Sequence, residues 1–144
     1  MSGVIGTALL LPALQFLFSP GRRVNTDEWI AVADLDQLDP VRPVRVEFTR
    51  RVVDGWATAN EIASTWVVRS RRGQVVAFAP ECTHLGCAYS WDNANADFLC
   101  PCHGSRFDID GGVKQGPAGK PLNRYPTKVE GRQLLIQPIR RKVS

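Results

Sequence analysis

The sequence predicts an all-β protein built from antiparallel sheets. Short stretches rich in Val, Ile, Phe and Trp recur along the chain, and Gly, Pro, Asp or Asn pairs typical of turns separate them. The 144 residues are 44% hydrophobic and 22% charged, which is the composition of one globular domain and excludes a disordered or fibrous chain. Short strands with close turns favour a sandwich or a barrel.

Seven strands are predicted after residue 27. They are Glu28–Ala33, Val44–Val53, Thr65–Arg69, Gln74–Ala79, Phe98–Cys100, Lys128–Glu130 and Gln133–Ile139. Within this region, Ala59–Ser64 is the one segment for which a helix is predicted. We find no internal repeat.

The N-terminal segment Val4–Phe18 contains fifteen residues without a charge. As a helix it would be roughly 22 Å long, which is short of the ~30 Å hydrocarbon core of a bilayer. It could be a signal peptide, but no basic residue precedes it; it could also be a buried core helix, or the end of a membrane anchor. We favour the anchor over residues 1–18, followed by a flexible polar tether at Ser19–Asp27 and one domain over residues 28–144.

The net charge of +4, from 18 basic and 14 acidic residues, does not suggest a nucleic-acid-binding protein. The basic residues are scattered in pairs such as Arg50-Arg51, and no zinc-finger or RNA-binding motif accompanies them.

All four cysteines and both histidines lie between positions 82 and 103. They fall in two loops, C-T-H-L-G-C at residues 82–87 and C-P-C-H-G-S at residues 100–105, with a Gly/Pro-rich loop at Gly116–Pro121. Thiolates and imidazoles bind either zinc or an iron–sulfur cluster. Structural Cys₂His₂ zinc sites use C-x₂₋₄-C followed by H-x₃₋₅-H, whereas each loop here mixes Cys with His. A [2Fe–2S] cluster with Cys₂ on one iron and His₂ on the other suits that arrangement better.

The two loops resemble those of Rieske iron–sulfur proteins, specifically the high-potential branch found in cytochrome bc-type complexes. Gly116-Pro117-Ala118 resembles the proline loop of that branch, and LLLPALQFLFSP resembles the end of its membrane anchor. Residues 32–67 are similar to the menaquinol-oxidising bacterial members. The resemblance implies the Rieske fold, with a cluster-binding subdomain at about residues 80–122 inserted between antiparallel sheets.

The resemblance also implies the site. Cys82 and Cys100 would bind the inner iron, His84 and His103 the outer iron, and Cys87 and Cys102 would form a disulfide. Soluble Rieske ferredoxins and dioxygenases lack this second cysteine pair. The other residues expected around the cofactor are Ser105, Leu85, Gly86, Gly104, Pro117 and Phe107.

Three of these residues carry specific expectations. Ser105 matches the family serine that donates a hydrogen bond to a bridging sulfide. Leu85, at the tip of the first loop, is expected to dock in a quinol pocket. Phe107 departs from the family pattern, because many high-potential members have a Tyr there whose hydroxyl bonds the sulfur of the first-loop Cys ligand. The expected consequence is a lower potential, which suits menaquinol.

The function implied is that of the electron-transfer subunit of a quinol–cytochrome c reductase. His103, with His84 as the second exposed ligand, would accept the hydrogen bond and proton of quinol. The expected partners are a cytochrome b subunit, a cytochrome c-type subunit, quinol and the membrane, with no nucleic acid. Two alternatives are the small Rieske subunit of an arsenite-oxidase-type enzyme and, from another class, a zinc-stabilised interaction module.

A disulfide indicates an oxidising compartment, so the domain is expected on the outer face of the cell membrane. Arg22 and Arg23, just after the apolar segment, would by the positive-inside rule place it in the cytoplasm. We resolve this conflict in favour of the outer face. The family commonly carries a twin-arginine export signal ahead of the anchor, and we expect it, with the first turns of the anchor, to lie outside this sequence.

Overall fold

A computed structural model of the chain describes residue 14, Arg23–Val24, and residues 28–54 and 57–138. The predicted anchor apart from Leu14, the tether apart from Arg23 and Val24, and Ile139 of the last predicted strand lie outside these residues. No helix in the described part of the chain is both long and apolar enough to span a bilayer.

The described residues form twelve strands and one short 3₁₀ helix. The strands are β1 (Arg23–Val24), β2 (Ile30–Asp34), β3 (Val44–Asp54), β4 (Ala57–Arg69), β5 (Val75–Phe78), β6 (Ser90–Asp92), β7 (Asp97–Leu99), β8 (Arg106–Phe107), β9 (Val113–Gln115), β10 (Arg124–Tyr125), β11 (Thr127–Glu130) and β12 (Gln133–Ile136). The 3₁₀ helix is Leu35–Gln37, and the side chain of Asp34 caps it by accepting from the Asp36 N–H. The all-β prediction is therefore confirmed.

Three antiparallel sheets are present in the described residues. A central sheet has the strand order β1-β3-β4-β5-β10, a second sheet has the order β11-β12-β2, and a third has the order β6-β7-β8-β9. The third sheet, which we call the loop sheet, is inserted in the chain between β5 and β10, and those two strands pair directly with each other. Both Cys/His loops and the Gly/Pro-rich loop belong to this insertion.

The helix predicted at Ala59–Ser64 is wrong. These residues lie in β4 and pair with β3 without interruption, from Ala59 opposite Val52 to Ser64 opposite Glu47. A six-residue segment is too short to hold a helix on propensity alone, and the long β3–β4 ladder satisfies its backbone as strand.

The central sheet packs on both faces because side chains alternate along its strands. On β5, Phe78 enters a buried cluster against the loop sheet, whereas Ala77 enters a second cluster with Phe48, Tyr125 and Ile136. The first cluster also contains Cys82 and Cys100. The hydrophobic core thus continues to the base of the two Cys/His loops and supports them.

Phe98 on β7 is the aromatic centre of this first cluster. Its ring lies 4.9 to 6.0 Å, between centroids, from the rings of Trp66, Phe78, Tyr89 and Trp91. The side chain is fully buried. It therefore joins the central sheet to the loop sheet.

We expect Phe98→Ala to lower the free energy of unfolding by about 3 to 5 kcal/mol, because it removes a buried aromatic ring and leaves a cavity. Thermal unfolding followed by circular dichroism measures this change. Val129→Ala, on a half-exposed side chain in the second sheet, is the control and should change stability by less than about 0.5 kcal/mol. Equal effects of the two substitutions would contradict the central place given to Phe98.

Candidate metal centre

The two Cys/His loops share one backbone pattern. In the first, the Cys82 N–H donates to the Cys87 carbonyl and the Gly86 N–H donates to the Cys82 carbonyl, at 2.7 and 2.9 Å. In the second, the Cys100 N–H donates to the Ser105 carbonyl and the Gly104 N–H donates to the Cys100 carbonyl, at 2.9 and 3.1 Å. Each loop therefore turns back on its first cysteine.

Both turns need a glycine at their fifth position. Gly86 and Gly104 have φ angles of +81° and +71°, in the left-handed region where a side chain is strained. A Cβ on Gly104 would meet nothing within 4 Å, so backbone conformation rather than lack of space requires glycine there.

The four predicted ligands form two pairs, each with one residue from either loop. Cys82 and Cys100 are 1% and 2% exposed and lie close enough to interact through their sulfurs. The rings of His84 and His103 lie 4.9 Å apart between centroids, at right angles. His84 is half-buried and His103 is exposed. The site is thus layered, with two thiols inside and two imidazoles outside.

Two features of these residues fit a bound metal group. The Nδ1 atom of His84 is buried and has no hydrogen-bond partner among the described residues. Leaving a buried nitrogen without a partner costs about 1 to 3 kcal/mol, which a metal bond would remove. Burial raises the pKa of the Cys82 thiol, with Cys100 adding to the effect. That thiol therefore stays protonated until a metal displaces its proton.

Cys82 also receives hydrogen bonds, which act in the opposite direction on its pKa. The backbone N–H of His84 and the hydroxyl of Ser105 are both directed at its sulfur. Ser105 is fully buried, and its oxygen accepts from the Ala118 N–H at 3.2 Å. A thiol sulfur that accepts two hydrogen bonds is better able to carry negative charge.

Phe107 lies on β8, directly after the second loop, and is fully buried. Its ring packs against that of Tyr89, with 6.3 Å between centroids. The Tyr89 hydroxyl donates to the Ala79 carbonyl at 2.7 Å. That hydroxyl is therefore already used elsewhere and does not replace the donor that a Tyr at position 107 would offer.

A disulfide between Cys87 and Cys102 joins the two loops. This is the pairing that the family resemblance implied. The sulfurs of Cys87, Cys100 and Cys102 lie within 4.8 Å of one another, but two of them are in the disulfide and offer no thiolate to a metal. Of the four cysteines, Cys82 and Cys100 are the two that remain as free thiols.

The Gly/Pro-rich loop closes the site from the third side. Gly116 has a φ angle of +95°, and a Cβ on it would lie 2.5 Å from the Ser105 Cα. The Thr83 hydroxyl donates to the Lys120 carbonyl at 2.7 Å. This loop therefore touches both of the others. Pro117 is exposed on it, and Leu85 at the tip of the first loop is 71% exposed.

A family model described as the Rieske [2Fe-2S] domain matches residues 28–126. The chain belongs to the Rieske family. It is 33% identical over 141 residues to the menaquinol:cytochrome c reductase iron-sulfur subunit of Geobacillus thermodenitrificans, covering 94% of this chain and 83% of that relative. It is 34% identical over 138 residues to the cytochrome b6-f complex iron-sulfur subunit 3 of Nostoc sp. (strain PCC 7120), covering 94% and 76%.

The fold agrees with this membership. A solved structure described as hyperthermophilic respiratory Complex III is 26% identical to the chain, with a TM-score of 0.54 and coverage of 92% of both chains. The cofactor of this Rieske protein is a [2Fe–2S] cluster, as predicted. The layered donor set of two thiols and two imidazoles suits it.

Sequence reasoning missed two contributors to the site. Thr83 connects the first loop to the Gly/Pro-rich loop through its hydroxyl, and a lone Thr within a ligand motif gives no signal of a partner 37 residues away. Asp97, which lies under the second loop, is 1% exposed and paired with Arg106 and Lys114. A single Asp before a strand reads as a turn residue, so its burial was not predictable.

We expect Ser105→Ala to lower the midpoint potential of this Rieske protein by about 60 to 130 mV. The value corresponds to one hydrogen bond to a charged group, about 1.5 to 3 kcal/mol, in a one-electron couple. A redox titration followed by circular dichroism measures it. Ser90→Ala, an exposed serine in the loop sheet, is the control. An unchanged potential in Ser105→Ala would show that the hydroxyl does not act on the sulfur.

Proposed function

We propose that this chain is the electron-transfer subunit of a quinol–cytochrome c reductase. It receives an electron from quinol and delivers it to a c-type cytochrome. The observation that carries this proposal is the layered site, in which two buried thiols lie beneath two imidazoles that face outward. The relatives named as menaquinol:cytochrome c reductase and cytochrome b6-f subunits support the same function.

Cys82 and Cys100 are the proposed ligands of the inner iron, and His84 and His103 those of the outer iron. When bound, the [2Fe–2S] cluster supplies a one-electron acceptor at about −150 to +300 mV, well above the ~−400 mV of plant-type ferredoxins. Such a range suits the oxidation of a quinol.

The imidazoles have a second task in this proposal. His84 Nδ1 is buried and has no hydrogen-bond partner among the described residues, so it is the atom that would bind the outer iron, and Nε2 would remain available to quinol. His103 is the more exposed ring, so it is the one that hydrogen-bonds the quinol hydroxyl and accepts its proton. Leu85 projects beside them and supplies an apolar contact for docking on the partner that holds quinol.

The proposed partners are a cytochrome b subunit, a c-type cytochrome subunit and quinol, which we take to be menaquinol. Residues 1–18 would anchor the chain in the cell membrane, residues 19–27 would form the tether, and the domain from residue 28 would face the outside. The disulfide supports the outer face, because such bonds persist in oxidising compartments. Relatives that are subunits of membrane complexes support membrane association.

The two alternatives are less well supported. The relatives named above are reductase and b6-f subunits, which favours the reductase over an arsenite-oxidase-type enzyme. A zinc-stabilised module would not be expected to match a family defined by its [2Fe–2S] domain. Metal analysis distinguishes the zinc-stabilised module from the reductase subunit directly, because the module would contain zinc in place of iron and acid-labile sulfide.

The function is tested in membranes of a strain from which this chain has been deleted. Quinol-dependent reduction of cytochrome c should be lost, and the wild-type chain should restore it. His103→Gln should not restore it, whereas the control Val129→Ala should. Retention of the full rate after deletion, or restoration by His103→Gln, would overturn the proposal.

Phe107→Tyr is expected to raise the midpoint potential by up to about 130 mV, because the added hydroxyl would donate to the Cys82 sulfur. Protein-film voltammetry measures the shift. Tyr89→Phe is the matched control: it removes a hydroxyl that bonds the Ala79 carbonyl and should leave the potential unchanged. If Phe107→Tyr leaves the potential where it was, the absence of a donor at position 107 does not set the potential.

The tether is expected to let the domain travel between quinol and cytochrome. Its nine residues span up to roughly 30 Å when extended, and this extension requires Arg23 and Val24 to leave their pairing with Val53 and Val52 in β3. Replacing Asn25 and Thr26 by proline should slow turnover of the intact complex and leave the EPR spectrum unchanged. Replacing the same residues by serine is the control. Normal turnover in the proline variant would argue against movement on this segment.

A further inference from the structure

Four charged side chains form a network beneath the second loop. Asp97 accepts from Arg106 Nε and Nη2 at 3.0 and 2.9 Å and from Lys114 Nζ at 2.7 Å. Arg106 Nη2 also donates to Asp92 at 2.6 Å. The four residues lie on β6, β7, β8 and β9, so every strand of the loop sheet contributes one. We call them the charged network.

Asp97 is the buried centre of the charged network, with 1% of its side chain exposed. Burial would raise the pKa of its carboxyl, but the hydrogen bonds from Arg106 and Lys114 outweigh this effect, and the pKa is lowered. Asp97 is therefore a carboxylate at neutral pH. Two acids and two bases cancel in formal charge, so the network adds little net field at the site.

The strands that the network connects lead directly to the ligand loops. Asp97 precedes Cys100 by three residues, and Arg106 follows Ser105. Lys114 precedes Gly116 by two residues, and Gly116 lies against the Ser105 backbone. One carboxylate thus holds the start of the second loop, its end, and the start of the Gly/Pro-rich loop.

Backbone pairing alone fixes the register of these strands only weakly. β8 has two residues, β7 and β9 have three each, and the β8–β9 pairing shifts between Arg106 and Phe107. Such short ladders contain few backbone hydrogen bonds to fix the register. A bidentate Arg–carboxylate pair fixes both distance and orientation, so it can set a register that the ladder leaves loose.

We propose that Asp97, through Arg106 and Lys114, is a positioning residue that holds Ser105 against the Cys82 sulfur. The inference rests on the proposed function, because it concerns the potential at which this chain accepts an electron. Without Asp97, the second loop and the Gly/Pro-rich loop lose their common anchor, and the Ser105 hydroxyl is less well aimed at Cys82.

The test uses Asp97→Asn, Lys114→Gln and the double variant in the cluster-containing protein. The control is Asp34→Asn, which removes a carboxylate paired with Arg132 in the second sheet. The midpoint potential and the EPR g-values of the reduced protein are measured. Lys114 is partly exposed, so Lys114→Gln keeps the test available if Asp97→Asn does not fold. Its g-values should then shift, whereas loss of a charge alone would lower the potential and leave the g-values unchanged.

We expect the midpoint potential to fall in both single variants, because both weaken the Ser105 hydrogen bond. The g-values of Asp97→Asn should shift, the double variant should not return to the wild-type potential, and Asp34→Asn should resemble wild type. An effect of charge alone predicts opposite shifts, upward for Asp97→Asn and downward for Lys114→Gln, that cancel in the double variant.

Opposite, cancelling shifts would overturn the proposal. It would also be overturned if the variants lost thermal stability with potential and g-values unchanged, since Asp97 would then only support the fold. Either result leaves the proposed function standing when wild-type protein has its cluster and is active in the complex. Wild-type protein without the cluster would overturn both.

Discussion

The rest of the molecule depends on one constraint, which is that two buried thiols, Cys82 and Cys100, face each other. Each thiol begins a loop that turns back on it through the same two backbone hydrogen bonds. The disulfide between Cys87 and Cys102 ties the far ends of the loops, and the aromatic cluster around Phe98 supports their bases. The two loops that present the shared site are therefore held at both ends.

The same arrangement places the sulfur ligands inside the protein and the imidazole ligands at its surface. The inner sulfurs lie in the hydrophobic core, where burial strengthens each hydrogen bond and charge interaction. The outer rings remain within reach of water and partners, with His103 the more exposed. Electron acceptance and proton acceptance are thereby placed within one small site but on different faces of it. This separation is the physical basis of the proposed reaction with quinol.

The sequence predicted the site better than it predicted the fold around it. Six Cys and His residues at fixed spacings define a donor set, and that chemistry is visible without coordinates. The strands of the loop sheet have only two or three residues, so β6, β8 and β9 carry too few positions for a period of two to be recognised. The helix prediction for Ala59–Ser64 failed for another reason, because pairing with β3 decides the conformation of this segment.

Contacts between distant residues were the part that sequence could not supply. The approach of Gly116 to Ser105 and the burial of Asp97 depend on how the loop sheet closes. A Gly-Pro pair indicates a turn, but not what the turn packs against. Likewise, an Asp in a polar segment reads as solvent-exposed unless its cationic partners on other strands are known. Both features emerge only from tertiary pairing.

Pulsed EPR on reduced protein containing ¹⁵N-labelled histidine, with iron and acid-labile sulfide determined on the same sample, reports which side chains hold the two metal atoms. We expect equal amounts of iron and sulfide, and coupling of the electron spin to nitrogens from two histidines that is lost in part in His84→Cys. Zinc in place of iron, or a spectrum without histidine nitrogen coupling, would contradict it.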